Sequence, residues 1–162
     1  MARTLGELFR GTNVRIGEDI VLYDELCDRL QSKAQQVGLD RLSPLARVVL
    51  LAERYDVGMC KSGWYTLMYW DDYDIMEMIP ALEAIGAIQN AQILREVAAL
   101  FPSGTIPTSV PQRVREYQEQ VMCLEAQLDC LEERLKESRE DVCRLAHQFT
   151  LAHRAELSKE EA

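Results

Sequence analysis

The chain has 162 residues, of which 48% are apolar and 28% are charged, an ordinary composition for a soluble protein with one hydrophobic core. Its 27 acidic and 18 basic residues give a formal net charge of −9, which argues against direct binding of nucleic acid or anionic lipid, because such binding depends on cations. The same charge permits a basic protein partner, although acidity that merely maintains solubility is the commoner explanation.

The sequence also predicts the cellular compartment of the protein. No apolar run approaches the roughly 18 residues that a membrane span requires, and the first residues lack the apolar segment of a secretory signal. Five cysteines form no CxxC pair and cannot all be paired within one chain: Cys27, Cys60, Cys123, Cys130 and Cys143. We therefore expect reduced thiols, a cytoplasmic protein and no membrane association.

The first predicted elements are helices. A short helix is predicted from Thr4 to Phe9, and a longer one of about 20 residues is predicted from Glu18 to a glycine C-cap at Gly38. Ser43 is a typical N-cap and precedes a proline, so the next helix should begin at Pro44. This helix is apolar on most faces, which predicts a central position in the core.

Three further helices are predicted between residues 55 and 102. An aromatic helix follows Gly63, and Asp74 is placed to cap the next helix, in which Pro80 predicts a kink or a late start. That helix should end at Gly86 in the left-handed conformation, and a further helix should end near Phe101. The aromatic cluster of this region could stack on bases, but it lacks the cationic groove of single-strand binders, so core packing is the favoured interpretation.

An acidic surface is predicted from the same stretch. Six acids stand against Lys61 alone between residues 55 and 86: Asp56, Asp71, Asp72, Asp74, Glu77 and Glu83. A solvated acidic turn that caps a helix is the simpler interpretation of this charge, and an acidic interaction surface is the functional one.

Beyond residue 102 the pattern changes. Three prolines and a glycine between residues 102 and 111 predict an extended linker over 103–111. Residues 112–157 then follow a heptad repeat, which predicts a long coiled-coil helix and a homodimer. A hairpin bent near Ser138 is the alternative. The predicted dimer interface consists of the apolar a and d residues: Val114, Tyr117, Val121, Leu124, Leu128, Leu131, Leu135, Val142, Leu145 and Phe149.

The sequence contains only weak matches to catalytic, metal-binding and phosphate-binding motifs. His147 and His153 are six residues apart, and no cluster of histidines and cysteines has the spacing of zinc ligands. Lys61 and Ser62 resemble the end of a phosphate-binding loop, but the glycines of that motif are missing. We therefore expect no enzymatic activity, no catalytic residue, no cofactor and no metal.

The motifs of residues 55–102 resemble a known family. They consist of Gly63 before an aromatic helix, an acidic turn, the run from Ala81 to Ala87, and a helix that closes on residues 100–102. This order resembles the small acidic all-helical bacterial domain family of unknown function whose best-described member is a DNA-mimic protein, and the resemblance covers roughly residues 15–102. It implies an acidic, all-helical dimer that occupies the DNA-binding face of a transcription factor.

The sequence therefore predicts an all-α protein with a globular domain over 1–102, a linker over 103–111 and a coiled coil over 112–157. A non-catalytic protein-interaction module is the expected function, with a basic DNA-binding protein as its partner if the acidic face acts as a DNA mimic. The alternative is a coiled-coil structural or adaptor protein with a generic acidic domain.

Overall fold

The computed structural model describes residues 18–70 and 73–161, without the side chains of residues 18–22, 70, 160 and 161. The predicted helix from Thr4 to Phe9 and two of the predicted surface acids, Asp71 and Asp72, lie outside the described residues. Within those ranges all regular structure is helical, which confirms the all-α prediction. None of the described helices is both long and apolar enough to cross a bilayer.

Most of the helices follow one another closely, but ten residues, 100–109, separate the helix that ends at Ala99 from the helix that begins at Val110. Short 3₁₀ turns at Leu39–Arg41 and Ser158–Glu161 accompany them, and the helical run that begins at Val110 passes through a π-helical turn, Tyr117–Val121, and a 3₁₀ turn, Met122–Leu124. The bounds are α1 Glu18–Val37, α2 Pro44–Ser62, α3 Trp64–Trp70, α4 Ile75–Ala84, α5 Ile88–Ala99, α6 Val110–Glu116, α7 Glu125–Ser138, α8 Val142–Ala152 and α9 Arg154–Leu157.

Local capping chemistry sets several of these bounds. The Ser43 hydroxyl accepts the backbone N–H of Ala46 at 3.3 Å, and Asp74 Oδ1 accepts that of Met76 at 2.9 Å. Both side chains therefore cap the helices that the sequence predicted them to cap. Pro80 lies inside α4, which nevertheless begins at Ile75, so the late start is not found.

Gly86 ends α4 in the predicted conformation. Its φ is +88°, its N–H donates to the carbonyl of Glu83 at 3.0 Å, and the N–H of Ala87 donates to that of Leu82 at 2.8 Å. These two hydrogen bonds form a Schellman motif, which satisfies carbonyls that the helix end would otherwise leave unpaired.

The core is built around α2. This helix contacts α1, α3, α4, α8 and α9, and its buried residues include Val49, Leu50 and Tyr55, which confirms the predicted central position. The later helices complete the core: α6 packs on α3, α7 on α5, and α8 on α2.

The prediction of one continuous helix over residues 112–157 is wrong. The helical run that begins at Val110 ends at Ser138, and Arg139 takes a left-handed conformation with a φ of 54°. A new helix begins at Val142, capped by Asp141, whose Oδ1 accepts the N–H of Arg144 at 2.9 Å. The chain thus bends between residues 138 and 142 and brings α8 back onto α2.

The apolar seam of the heptads faces the protein's own core. Tyr117, Val121, Leu128, Leu131 and Val142 are buried there, and Leu135, Leu145 and Phe149 pack against the same core while partly buried. Val114 and Leu124 are half-buried. The sequence pattern located the buried face of these helices but not its partner, which is the helical domain itself, and a projecting coiled coil is not found.

Candidate acidic protein-binding surface

Several of the predicted surface acids have partners within the fold. Glu77 pairs with Arg47 at 2.7 Å, and Glu83 pairs with Arg95 at 2.6 Å. Asp74 caps α4 with one carboxylate oxygen, and its other oxygen accepts the hydroxyl of Thr108 at 3.2 Å. These three acids contribute less free charge to the surface than the sequence suggested.

Asp56 is a partly buried acid between α2 and α8. Burial, reinforced by the negative charge of Asp141, raises the pKa of Asp56 to about 6. Burial also raises the pKa of Glu53, against the opposing effect of the neighbouring Arg54 cation. The described members of the predicted set are therefore divided between ion pairs, a helix cap and this partly buried position.

The region where α1, α2 and α8 meet also holds thiols and a histidine. Burial raises the pKa of Cys27 and that of Cys143 to about 12, so both thiols are protonated at neutral pH. The ring centroids of Tyr23 and His147 lie 5.7 Å apart. Among the described residues, no group of three or more histidines, cysteines and acids is arranged to hold a metal ion.

The most regular acidic array on the described surface lies on α7, where four acids recur at intervals of four residues. All four are exposed and lie away from the helix face that carries Leu128 and Leu131 into the core. Successive members are about 6 Å apart along the helix axis, and the array spans about 18 Å, because a residue advances the helix by about 1.5 Å. We call Glu125, Asp129, Glu133 and Glu137 the acidic stripe.

The acidic stripe keeps most of its charge. Lys136 pairs with Glu133 at 2.6 Å, but both side chains are about two-thirds exposed, so the pair is weak. No salt bridge among the described residues engages Glu125, Asp129 or Glu137. Like charges four residues apart each destabilise a helix by roughly 0.2–0.5 kcal/mol, so this arrangement is unfavourable for the helix alone.

The sequence contained the signal for the stripe. Its four acids are evenly spaced, but the heptad interpretation placed them among the outer positions of a coiled coil, where mixed charges are ordinary. Only the packing of α7 on α5 establishes that this outer face is a surface of the folded domain.

Two residues that the sequence analysis did not identify anchor the helical run that carries the acidic stripe. Arg113 is fully buried, and its guanidinium donates to the carbonyls of Met68 at 3.0 Å, Pro107 at 3.4 Å and Tyr73 at 3.5 Å. Glu140, just after α7, binds the amino end of α5. The helical run that carries the stripe is thus anchored near its beginning and directly after its end.

The aromatic cluster divides between core and surface. Trp64 is buried, as predicted for core packing, whereas Tyr65 is 47% exposed. Tyr65 stacks on Tyr69 with ring centroids 4.2 Å apart, and the edge of Tyr69 meets Tyr117 at 6.1 Å. An aromatic surface therefore lies where α3 meets the π-helical turn before α7.

Comparison with known proteins gives one match. A family model described as DMP19-like protein matches residues 40–153. The match begins later than the resemblance seen in residues 15–102, and it continues through α7 and α8, which that resemblance left out. Searches of curated proteins and of solved structures return no significant match to the chain.

Proposed function

The chain belongs to the DMP19-like protein family, and from that premise we propose that it is a DNA-mimic-like protein whose acidic stripe on α7 binds the basic surface of a DNA-binding protein. The observation that carries this proposal is the regular, exposed and largely uncompensated array of Glu125, Asp129, Glu133 and Glu137. We propose a non-catalytic role, in which binding itself is the function.

The sign and the regular repeat of the charges support the proposal. One strand of duplex DNA carries a charge about every 3.4 Å along the axis, whereas the stripe carries one about every 6 Å. Glu132, half-buried beside the stripe, adds a further carboxylate on a neighbouring line of α7. The array is thus sparser than a phosphate strand but has the same sign and a regular spacing.

Binding of this kind would compete with DNA. The lysines and arginines with which a DNA-binding protein neutralises phosphates can instead pair with these carboxylates. The same cations cannot pair with DNA and with the acidic stripe at once. Complementary charge would mainly accelerate association and would make the affinity fall as salt increases.

The alternative of a coiled-coil adaptor has less support. Its main sequence signal was the heptad seam, and residues such as Val121, Leu128 and Leu131 are buried within the chain's own core. Exposing them to a partner helix would require α7 to leave α5.

The test uses proteins that bind DNA-cellulose in an extract of the native cell. These are applied to the immobilised protein, and bound material is eluted with duplex DNA. We expect the wild type to retain a protein that DNA releases, and the quadruple variant E125Q/D129N/E133Q/E137Q to lose it.

A matched variant controls for net charge alone. D24N/E25Q/D28N/D40N removes four exposed acids from α1 and the 3₁₀ turn after it, and it should retain the partner. Equal loss in both variants, or no loss in either, would contradict a role for the acidic stripe.

A further inference from the structure

A carboxylate of α7 approaches the glycine that lies two residues before the half-exposed Tyr65. Glu132 Oε1 is 3.6 Å from the position that a Cβ atom would occupy on Gly63, two residues before Tyr65. Burial raises the pKa of Tyr117, and the neighbouring Tyr69 and the Glu132 charge raise it further. A carboxylate and a half-exposed aromatic ring therefore flank one part of the surface.

This arrangement is not explained by packing. Tyr65 contacts Tyr69 through its ring but remains 47% exposed. No salt bridge among the described residues engages Glu132, although Lys136 and Lys61 lie on the neighbouring turns of α7 and α2. The patch borders the acidic stripe, because Glu132 directly precedes Glu133 on α7.

We propose that Tyr65 and Glu132 form a binding site for an arginine side chain of the protein partner. The guanidinium plane stacks on the exposed Tyr65 ring, and its N–H groups donate to the Glu132 carboxylate. This inference rests on the proposed function, because it assigns the partner one contact beyond the charge of the acidic stripe.

The chemistry favours arginine over lysine. A guanidinium is planar and weakly hydrated, so it stacks on an aromatic face while it donates in its own plane to a carboxylate. An ammonium is a compact, strongly hydrated charge that gains less from the ring. The acidic stripe has carboxylates but no aromatic ring among its members, so it should distinguish the two cations less.

The experiment compares two fluorescein-labelled peptides of equal length, one of arginine and one of lysine, by fluorescence anisotropy at low salt. We expect the wild type to bind the arginine peptide roughly three-fold more tightly than the lysine peptide, the scale of a cation–π contact at an exposed site. Tyr65→Leu and Glu132→Gln should each reduce this ratio, and Tyr65→Phe, which keeps the ring, should preserve it.

The variants separate this inference from the proposed function. E125Q/D129N/E133Q/E137Q should weaken binding of both peptides and leave their ratio unchanged. Val37→Ser, a change at another exposed apolar side chain, should alter neither quantity. If Tyr65→Leu leaves the ratio at the wild-type value, the arginine site is refuted. If the quadruple variant binds both peptides as tightly as the wild type does, the proposed role of the acidic stripe is refuted instead.

Discussion

Glu140 caps the amino end of α5 through Asn90. One oxygen of the Glu140 carboxylate accepts both the backbone N–H and the side-chain amide of Asn90, each at 2.9 Å, and the other accepts the N–H of Gln89 at 2.9 Å. The Asn90 side-chain oxygen in turn accepts the hydroxyl of the buried Tyr55 at 3.0 Å. Because Ala87 offers α5 no side-chain cap, a residue 50 positions beyond Asn90 supplies it.

The first prediction concerns this cap. Glu140→Ala should lower the free energy of unfolding by about 1–3 kcal/mol, because three N–H donors lose a charged acceptor. Glu140→Gln should cost less, since its amide oxygen can still accept. Urea denaturation measures both values. Glu137→Ala, on the last turn of α7 and exposed, is the control and should change stability by less than about 0.5 kcal/mol. Equal stability of Glu140→Ala and the wild type would mean that the cap contributes nothing.

Local features of the fold could be predicted from the sequence. The capping roles of Ser43 and Asp74 and the left-handed Gly86 depend on chemistry within a few residues, and each was predicted correctly. The central position of α2 followed from its apolar faces in the same way.

Long-range features could not be predicted in this way. A heptad repeat reports that one helix face is apolar, but it does not say whether another chain or the same chain covers that face. A bend near Ser138 was only the alternative prediction, because the segment lacks glycine and proline, and the contact that holds the bend, from Glu140 to Asn90, joins residues far apart in sequence. Arg113 carries a charge and lies next to Val114 of the heptad pattern, and nothing in that pattern predicts that it is fully buried.

The candidate site illustrates the same limit. Counting charge along residues 55–86 found acids that prove to serve the fold, such as Glu77 with Arg47. The acidic stripe has an equally visible spacing, but its exposure depends on which face of α7 meets α5.

The second prediction concerns Gly86. A Cβ atom at this position would meet no other atom within 4 Å, so the effect of Gly86→Ala comes from its φ of +88° alone. We expect a loss of about 1 kcal/mol in chemical denaturation. Gly86→Asn should lose less, because asparagine tolerates the left-handed region better than alanine does. If alanine and asparagine were equally harmless, the backbone conformation would not govern stability here.

The third prediction concerns Arg113. Arg113→Met leaves the carbonyls of Met68, Tyr73 and Pro107 without this donor, and it should cost at least about 2 kcal/mol of unfolding free energy. Arg113→Lys should restore little of this loss, because one ammonium cannot reproduce the geometry of the guanidinium. Arg115→Met, at an exposed position two residues later, is the matched control. Thermal denaturation measures the three variants. Equal melting temperatures of Arg113→Met and Arg115→Met would contradict the prediction.

The fourth prediction concerns pH. The pKa of Asp56 is about 6 in the folded protein, above the ordinary aspartate value of 3.8, so the folded state binds the proton more tightly than the unfolded state. The contribution of Asp56 to stability is therefore fully present below about pH 4 and is lost as the pH rises through about 6. Asp56→Asn removes this titration, so the stability of the variant should rise relative to that of the wild type between about pH 4 and pH 7.5, by roughly 3 kcal/mol.

The measurement is the difference in unfolding free energy between wild type and Asp56→Asn at a series of pH values. Other groups also titrate, but their effects largely cancel in the difference. Asp40→Asn, at an exposed position, is the control and should show a nearly flat difference. A flat difference for Asp56→Asn as well would mean that Asp56 is solvated in the folded protein.

The last prediction separates internal packing of α7 from a coiled-coil dimer. Leu131 is 6% exposed and faces the core, so Leu131→Glu should place a carboxylate in an apolar site and cost about 4 kcal/mol or more. The loss should be the same at every protein concentration, since the contact lies within one chain. Ala126→Glu, on the exposed face of α7, is the control and should remain folded. A coiled-coil dimer would instead give a wild-type melting temperature that rises with concentration, because dissociation accompanies unfolding. It would also make Leu131→Glu a folded monomer in light scattering, and that pair of results would contradict the internal packing of this seam.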